Sequence, residues 1–259
     1  MIGDPASPAT NEKLDASAGR EASRAELRHR LPGAPSPFLE GALANPSLGP
    51  DELLLLLRNR RASDAVLARV AGNPAWLRKA EVRRQIARHP RVPLALGREL
   101  LARLGYKDLL EVCQSPEAHP FVRRQAELRL EARLEELSSG ERVTLARRAP
   151  RSVLCSLIRT DDARVLESAL GNPALGEQDA VLVAGREGAD PAVLTRIARH
   201  SRWGVRQSVR WALLRNARTP IPVALRLVAQ LPRTELQRVA EDPLVPRIVR
   251  VGAERRLGS

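Results

Sequence analysis

The chain has 259 residues, a formal net charge of +13 and 43% hydrophobic residues, but only 2% aromatics. The core must therefore be built from Leu, Val, Ile and Ala, and the longest apolar run, Leu53 to Leu57, is far short of the ~18 residues that a membrane-spanning helix needs. Two cysteines, Cys113 and Cys155, without CxxC spacing fit a reducing compartment better than a disulfide framework.

The first residues, MIGDPASPATNEKLDASAGREAS, contain no apolar stretch of signal-peptide type, so the expected location is cytoplasmic. Residues 1–22 are rich in Ala, Ser, Pro, Gly and charge without periodicity, and predict a disordered tail. A short helix over Ser23 to Arg30 and the breaker-rich linker LPGAPSP complete a non-core segment, 1–37. From Phe38 onward helix-length segments follow with little connecting chain: DELLLLLRNR, SDAVLARVA, KAEVRRQIARH, PLALGRELLARL, KDLLEVCQ and FVRRQAELRLEARLEEL. Each carries apolar residues at i, i+3 or i+4, as in Val82/Ile86 and Leu96/Leu100/Leu104.

The breaks are chemical. Asn45-Pro46, Asn73-Pro74, His89-Pro90 and Asn172-Pro173 end helices because the residue before proline is driven out of the α region. Asp51, Ser63 and Asp190 offer N-cap oxygens, and Pro93 and Pro220 suit a first helical turn. No segment alternates with period two, so an all-α fold is expected, with three further helices in 131–164.

Residues 38–130 align without a gap on 165–257. Asn45-Pro46 falls on Asn172-Pro173, an offset of 127 (172 − 45), and Val82-Arg83, Pro93 and Val122-Arg123 fall on Val209-Arg210, Pro220 and Val249-Arg250. Roughly a third of aligned positions are identical, and such a self-match at fixed period marks a stacked repeat architecture. The charge follows the repeat: 16 bases against 10 acids in 38–130, 15 against 9 in 165–259, and near balance elsewhere. All the basic residues except Lys13, Lys79 and Lys107 are arginine, a usage typical of a GC-rich bacterial genome.

The run Ser115-Pro116…Val122-Arg123…Ala126…Leu130 and its copy Asp242-Pro243…Val249-Arg250…Ala253…Leu257 resemble the second-helix signature of HEAT repeats, an Asp-Pro turn followed by V-R-x-x-A-x-x-x-L. Val82 to Val122 spans 40 residues (122 − 82), a HEAT-like period. IARHPRVPLAL and LLRNARTPIPVAL are similar to the leucine-rich-repeat-variant pattern, with longer spacing. The resemblance covers about residues 38–257. It implies a single right-handed α-solenoid, 38–259, and a binding scaffold rather than a chemistry. By the same resemblance, the V-R arginines Arg83, Arg123, Arg210 and Arg250 sit between repeats and bond to a neighbouring carboxylate or helix end.

The candidate binding surface is a set of equivalent cations. Lys79 and Arg83 lie one turn apart and match Arg206 and Arg210; Arg88 matches Arg215, Arg91 matches Arg218, and Arg202 extends the second stripe at i−4 from Arg206. Such stripes suit an acidic partner, a protein with an acidic segment before a nucleic acid; the bland alternative is a solvated face partly paired with glutamates. Trp76 and Trp203 are equivalent and read more readily as plugs between helices than as stacking platforms, whereas Trp211, opposite Arg84 in the alignment, is the better candidate for a contact specific to the second block.

His89, His119, Cys113 and Cys155 match no zinc spacing, and the cysteines read as small core residues. No phosphate loop, nucleophile elbow or Ser/His/Asp set occurs at recognisable spacing, so no catalytic residue, cofactor or metal is expected. The rival readings are a nucleic-acid binder, resembling in architecture the alkylpurine DNA glycosylases, and an enzyme with an unrecognised groove site.

Overall fold

The computed structural model describes residues 8–258, with side chains from residue 11. Among them every regular element is helical, nineteen helices in all, and no strand occurs. The chain parts into two compact units, Met1–Ala132 and Arg133–Ser259, where the sequence reading ran one stack across 38–259.

The first unit contains α1 (Pro8–Glu21), α2 (Arg24–Arg30), α3 (Ser36–Ala42), α4 (Pro50–Arg58), α5 (Asp64–Ala71), the single turn α6 (Pro74–Leu77), α7 (Ala80–Arg88), α8 (Leu94–Ala102), α9 (Tyr106–Gln114) and α10 (Pro120–Ala132). One row runs α1–α3–α5 and another α2–α4–α7–α9, with α8 packed between α7 and α10. The second unit contains α11 (Ser139–Ala146), α12 (Arg151–Leu157), α13 (Ala163–Leu170), α14 (Glu177–Gly185), α15 (Pro191–Arg199), α16 (Gln207–Arg215), α17 (Ile221–Ala229), α18 (Arg233–Glu241) and α19 (Arg247–Leu257). Here α11–α13–α15–α17–α19 form a row, and α14 packs on α16. The helices are too short to be stable alone, and apart from α1 and the single turn α6, which buries no residue, they bury apolar side chains against neighbouring helices. Val82, Ile86 and Ala87 of α7 are buried, as are Val193, Leu194 and Ile197 of α15.

Two expectations change. Residues 8–21, assigned to a disordered tail, form α1, which packs on α3; residues 1–7 of that tail lie outside the described residues. A Cβ added to Gly19 would collide with the Phe38 carbonyl, and one added to Gly41 with the Ala16 carbonyl, so α1 and α3 meet backbone to backbone. The segment looked like a tail because its packing face is made of small residues, not of leucines. Asp51, expected as an N-cap, lies in the first turn of α4 behind the N-cap Gly49, whereas Ser63 and Asp190 do cap α5 and α15 through their side chains. Pro93 and Pro220 occupy the N-cap positions of α8 and α17.

Candidate functional site

The residues that end the helices are what join one layer to the next. Asn45 donates both amide hydrogens to the carbonyls of Gly19 and Ala22 (3.0 and 2.8 Å) and accepts the Ser47 N–H. Asn59 does the same with Leu31 and Ala34, Asn172 with Ala146 and Ala149, and Asn216 with Ala184 and Arg186. All four are buried. The last carbonyls of a helix have no partner within it, and each asparagine supplies one from the layer that follows. Removing such a buried amide strands two carbonyls at a cost of about 1–3 kcal/mol.

His89 fills the rung that Asn216 fills in the second unit. Its Nδ1 accepts the Arg91 N–H (3.1 Å), which leaves Nε2 to donate to the Asn59 carbonyl (3.0 Å). Burial pushes this imidazole below its ordinary value of 6.5, against the pull of the Asn59 carbonyl. Arg186, opposite Asn59 in the alignment, reaches back with its guanidinium to the carbonyls of Arg159 and Thr160. Sequence reasoning placed the Asn-Pro pairs as breaks only. A regular recurrence of Asn or His at helix ends was the available signal, but nothing in one sequence says which carbonyls they meet.

The arginine stripes are largely taken up in the same way. Arg83 donates to the carbonyls of Leu77 and Arg78 (2.5 and 2.8 Å), and Arg210 to that of Gly204 (2.7 Å). Arg202 lies in the turn before α16, not on a helical extension of the stripe; it donates to the Leu175 and Asn172 carbonyls and covers the Trp203 ring at 4.2 Å. Arg88 faces Glu111 at 3.7 Å, Arg206 faces Glu177 at 3.7 Å, and Arg215 donates to Asp242 at 2.7 Å. Lys79, Arg91 and Arg218 remain exposed, with no side-chain hydrogen bond or ion pair among the described residues.

Trp203 is a buried plug whose Nε1–H donates to the Leu170 carbonyl (2.8 Å), while its counterpart Trp76 is half-buried. Trp211, also half-buried, stands 5.4 Å from the Arg215 guanidinium and lines a depression of about 410 Å³ with Arg238 and Glu241.

Two acids are equivalent and structural. Glu52 accepts from Arg24, Arg28 and the Gly49 N–H, and the Arg24 guanidinium above all holds its carboxyl down to about 2. Asp179 accepts from Arg151 and the Gly176 N–H at the matching place. Cys113 is buried, and burial pushes its thiol up to about 12, so the group stays protonated; Cys155 is half-buried. Among the described residues no group of three or more His, Cys, Asp or Glu side chains is placed to hold a metal ion, and no helix is long and apolar enough to cross a membrane.

The concentration of unneutralised charge that sequence reasoning missed lies in the second unit. Arg147, the C-cap of α11, Arg164 and Ser168 of α13 and its C-cap Gly171 line an open depression of about 480 Å³. Leu170 of α13, Thr195, Arg196 and Arg199 of α15, and His200 line an adjoining one of about 600 Å³. Glu167 belongs to both and is paired with Arg196. Arg147, Arg164 and Arg199 are exposed and make no side-chain hydrogen bond or ion pair among the described residues. At the 127-residue offset Arg20, Pro37 and Gly72 stand opposite them, the first two upstream of the aligned block 38–130. Only the change from Gly72 to Arg199 falls inside the aligned blocks and was visible there, and the row α11–α13–α15 that gathers the three was not. Comparison with known proteins finds no family model, no curated relative and no solved structure that matches the chain.

Proposed function

We propose that the protein is a non-catalytic α-solenoid scaffold that binds an acidic macromolecule, most readily a protein with an acidic surface or segment. The observation that carries this reading is the surplus of exposed cations left over after the structural pairings, among them Lys79, Arg91 and Arg218 of the original surface and Arg147, Arg164 and Arg199. Surplus unpaired charge of one sign raises the rate and specificity of association with the opposite sign. The 127-residue correspondence of helix bounds, α3 with α13, α4 with α14 and α7 with α16, supports an internal duplication of a HEAT-like unit as the origin of the scaffold.

Nucleic acid is the second reading, favoured by the predominance of arginine, which grips phosphate in a bidentate manner. Fluorescence anisotropy with a labelled acidic peptide and with a duplex DNA of similar charge, both at ~50 mM salt and titrated upward, tests the proposal. Peptide binding that weakens with salt is the expected result. Absence of peptide binding at low salt, or tight binding of the duplex alone, overturns it.

A further inference from the structure

We infer that the groove across α11, α13 and α15 is the docking site of the second unit, and that its occupant is an extended acidic segment of another protein. The inference rests on the scaffold reading above and deepens it by naming the surface and the chemistry of the ligand. Arg147 and Arg164 flank one depression and Arg199 edges the next, and all three guanidiniums are without an internal counter-charge among the described residues. An exposed arginine offers five N–H donors in a planar fork, a match for a carboxylate.

Two features favour a peptide over a polynucleotide. Glu167, paired with Arg196, stands on the wall common to the two depressions, so the cationic lining is interrupted in the middle by a neutral pair. A phosphate backbone carries charge across this neutral stretch without gaining a counter-charge there, whereas a peptide places discrete side-chain charges on either side of it. The lining also carries no Phe, Tyr or Trp for a base to stack on, its one ring being the His200 imidazole: Trp203, the tryptophan nearest in sequence to His200, is buried with its Nε1–H committed to the Leu170 carbonyl. Between the cations the lining includes apolar groups from Val143, Gly171, Leu170 and Ala192, which suit the backbone and small apolar residues of an extended segment. At the 127-residue offset only Arg147 has a basic counterpart, Arg20, while Pro37 and Gly72 stand opposite Arg164 and Arg199, so the full set of three cations belongs to the second unit.

The test uses the full chain and a labelled peptide of about a dozen residues, with paired glutamates separated by leucine and alanine, against a thymidine oligonucleotide of equal charge. Arg147→Glu/Arg164→Glu and, separately, Arg199→Glu are compared with Lys79→Glu/Arg218→Glu. Thermal melts by circular dichroism establish that each variant is folded, which exposed positions without internal partners should preserve. Expected is at least about tenfold weaker peptide binding for the groove variants, with a smaller change for Lys79→Glu/Arg218→Glu. Peptide binding by the parent chain that survives the groove reversals but is lost on reversing Lys79 and Arg218 overturns the groove while leaving the scaffold reading intact. Preference for the oligonucleotide overturns the peptide ligand. No binding of either by the parent chain overturns both.

Discussion

His89 and Asn216 occupy matching rungs, and the difference between them is titratable. A neutral imidazole can accept the Arg91 N–H at Nδ1 and donate to the Asn59 carbonyl; a protonated one has two donors and turns one of them on the Arg91 N–H. Arg91 and Arg60 add to the cost of protonation, and Glu117 opposes them. Because the folded chain holds this group below 6.5, the unfolded chain binds the proton first as pH falls, and folding stability declines below that value. Chemical denaturation of the parent should therefore show a lower midpoint at about pH 5.5 than at about pH 7.5. His89→Asn, which installs the group found at Asn216, should remain within about 1 kcal/mol of the parent at the higher pH and show a smaller fall between the two. An equal fall in both chains would remove His89 as the cause. His89→Ala, which leaves the Arg91 N–H and the Asn59 carbonyl unpartnered, should cost about 2 kcal/mol at the higher pH and less at the lower, where the parent has itself lost stability.

The helices themselves were largely legible: α4, α5, α7, α8 and α9 begin and end within two residues of the segments marked by apolar spacing, because those stripes are real burial faces. Where legibility failed, packing does not follow from hydrophobicity. α10 stops at Ala132 instead of running through the charged stretch to Leu137, and α6 is a single turn set up by the Asn73 side chain, which accepts the Ala75 and Trp76 N–H groups. α1 is the largest omission, since its contact with α3 depends on Gly19 and Gly41 having no side chain. Gly41→Val should destabilise the first unit by about 2 kcal/mol or more, because the Ala16 backbone must retreat. The same measurement on Gly33→Ala, where an added Cβ meets nothing within 4 Å, should show almost no change. Equal tolerance of both would mean that α1 does not bear on α3 in solution.

At the scale of the molecule, the basic surplus and its association with the repeated blocks were plain from composition, yet the stripes drawn from it were mostly spent on backbone carbonyls and neighbouring carboxylates. Residues four apart share a helix face, but only the layering decides whether that face meets solvent or the end of another helix. Among the cations that stay free, Arg147 at the end of α11, Arg164 of α13 and Arg199 of α15 come from three separate elements, a juxtaposition no spacing within one helix reveals.

The asparagine rungs also impose a direction on synthesis. Asn45 completes helix ends 26 and 23 residues behind it, and Asn59 those 28 and 25 residues behind. On the ribosome, α2 and the turn after it can be sealed only once Asn59 has left the exit tunnel, so the nascent protein should gain protease resistance in steps, each triggered by a residue well downstream of the bond it protects. Arrested chains with Asn59 just inside and just outside the tunnel should differ at cleavage sites around Leu31, and Asn59→Ala should abolish the step; resistance that grows smoothly with length would contradict it.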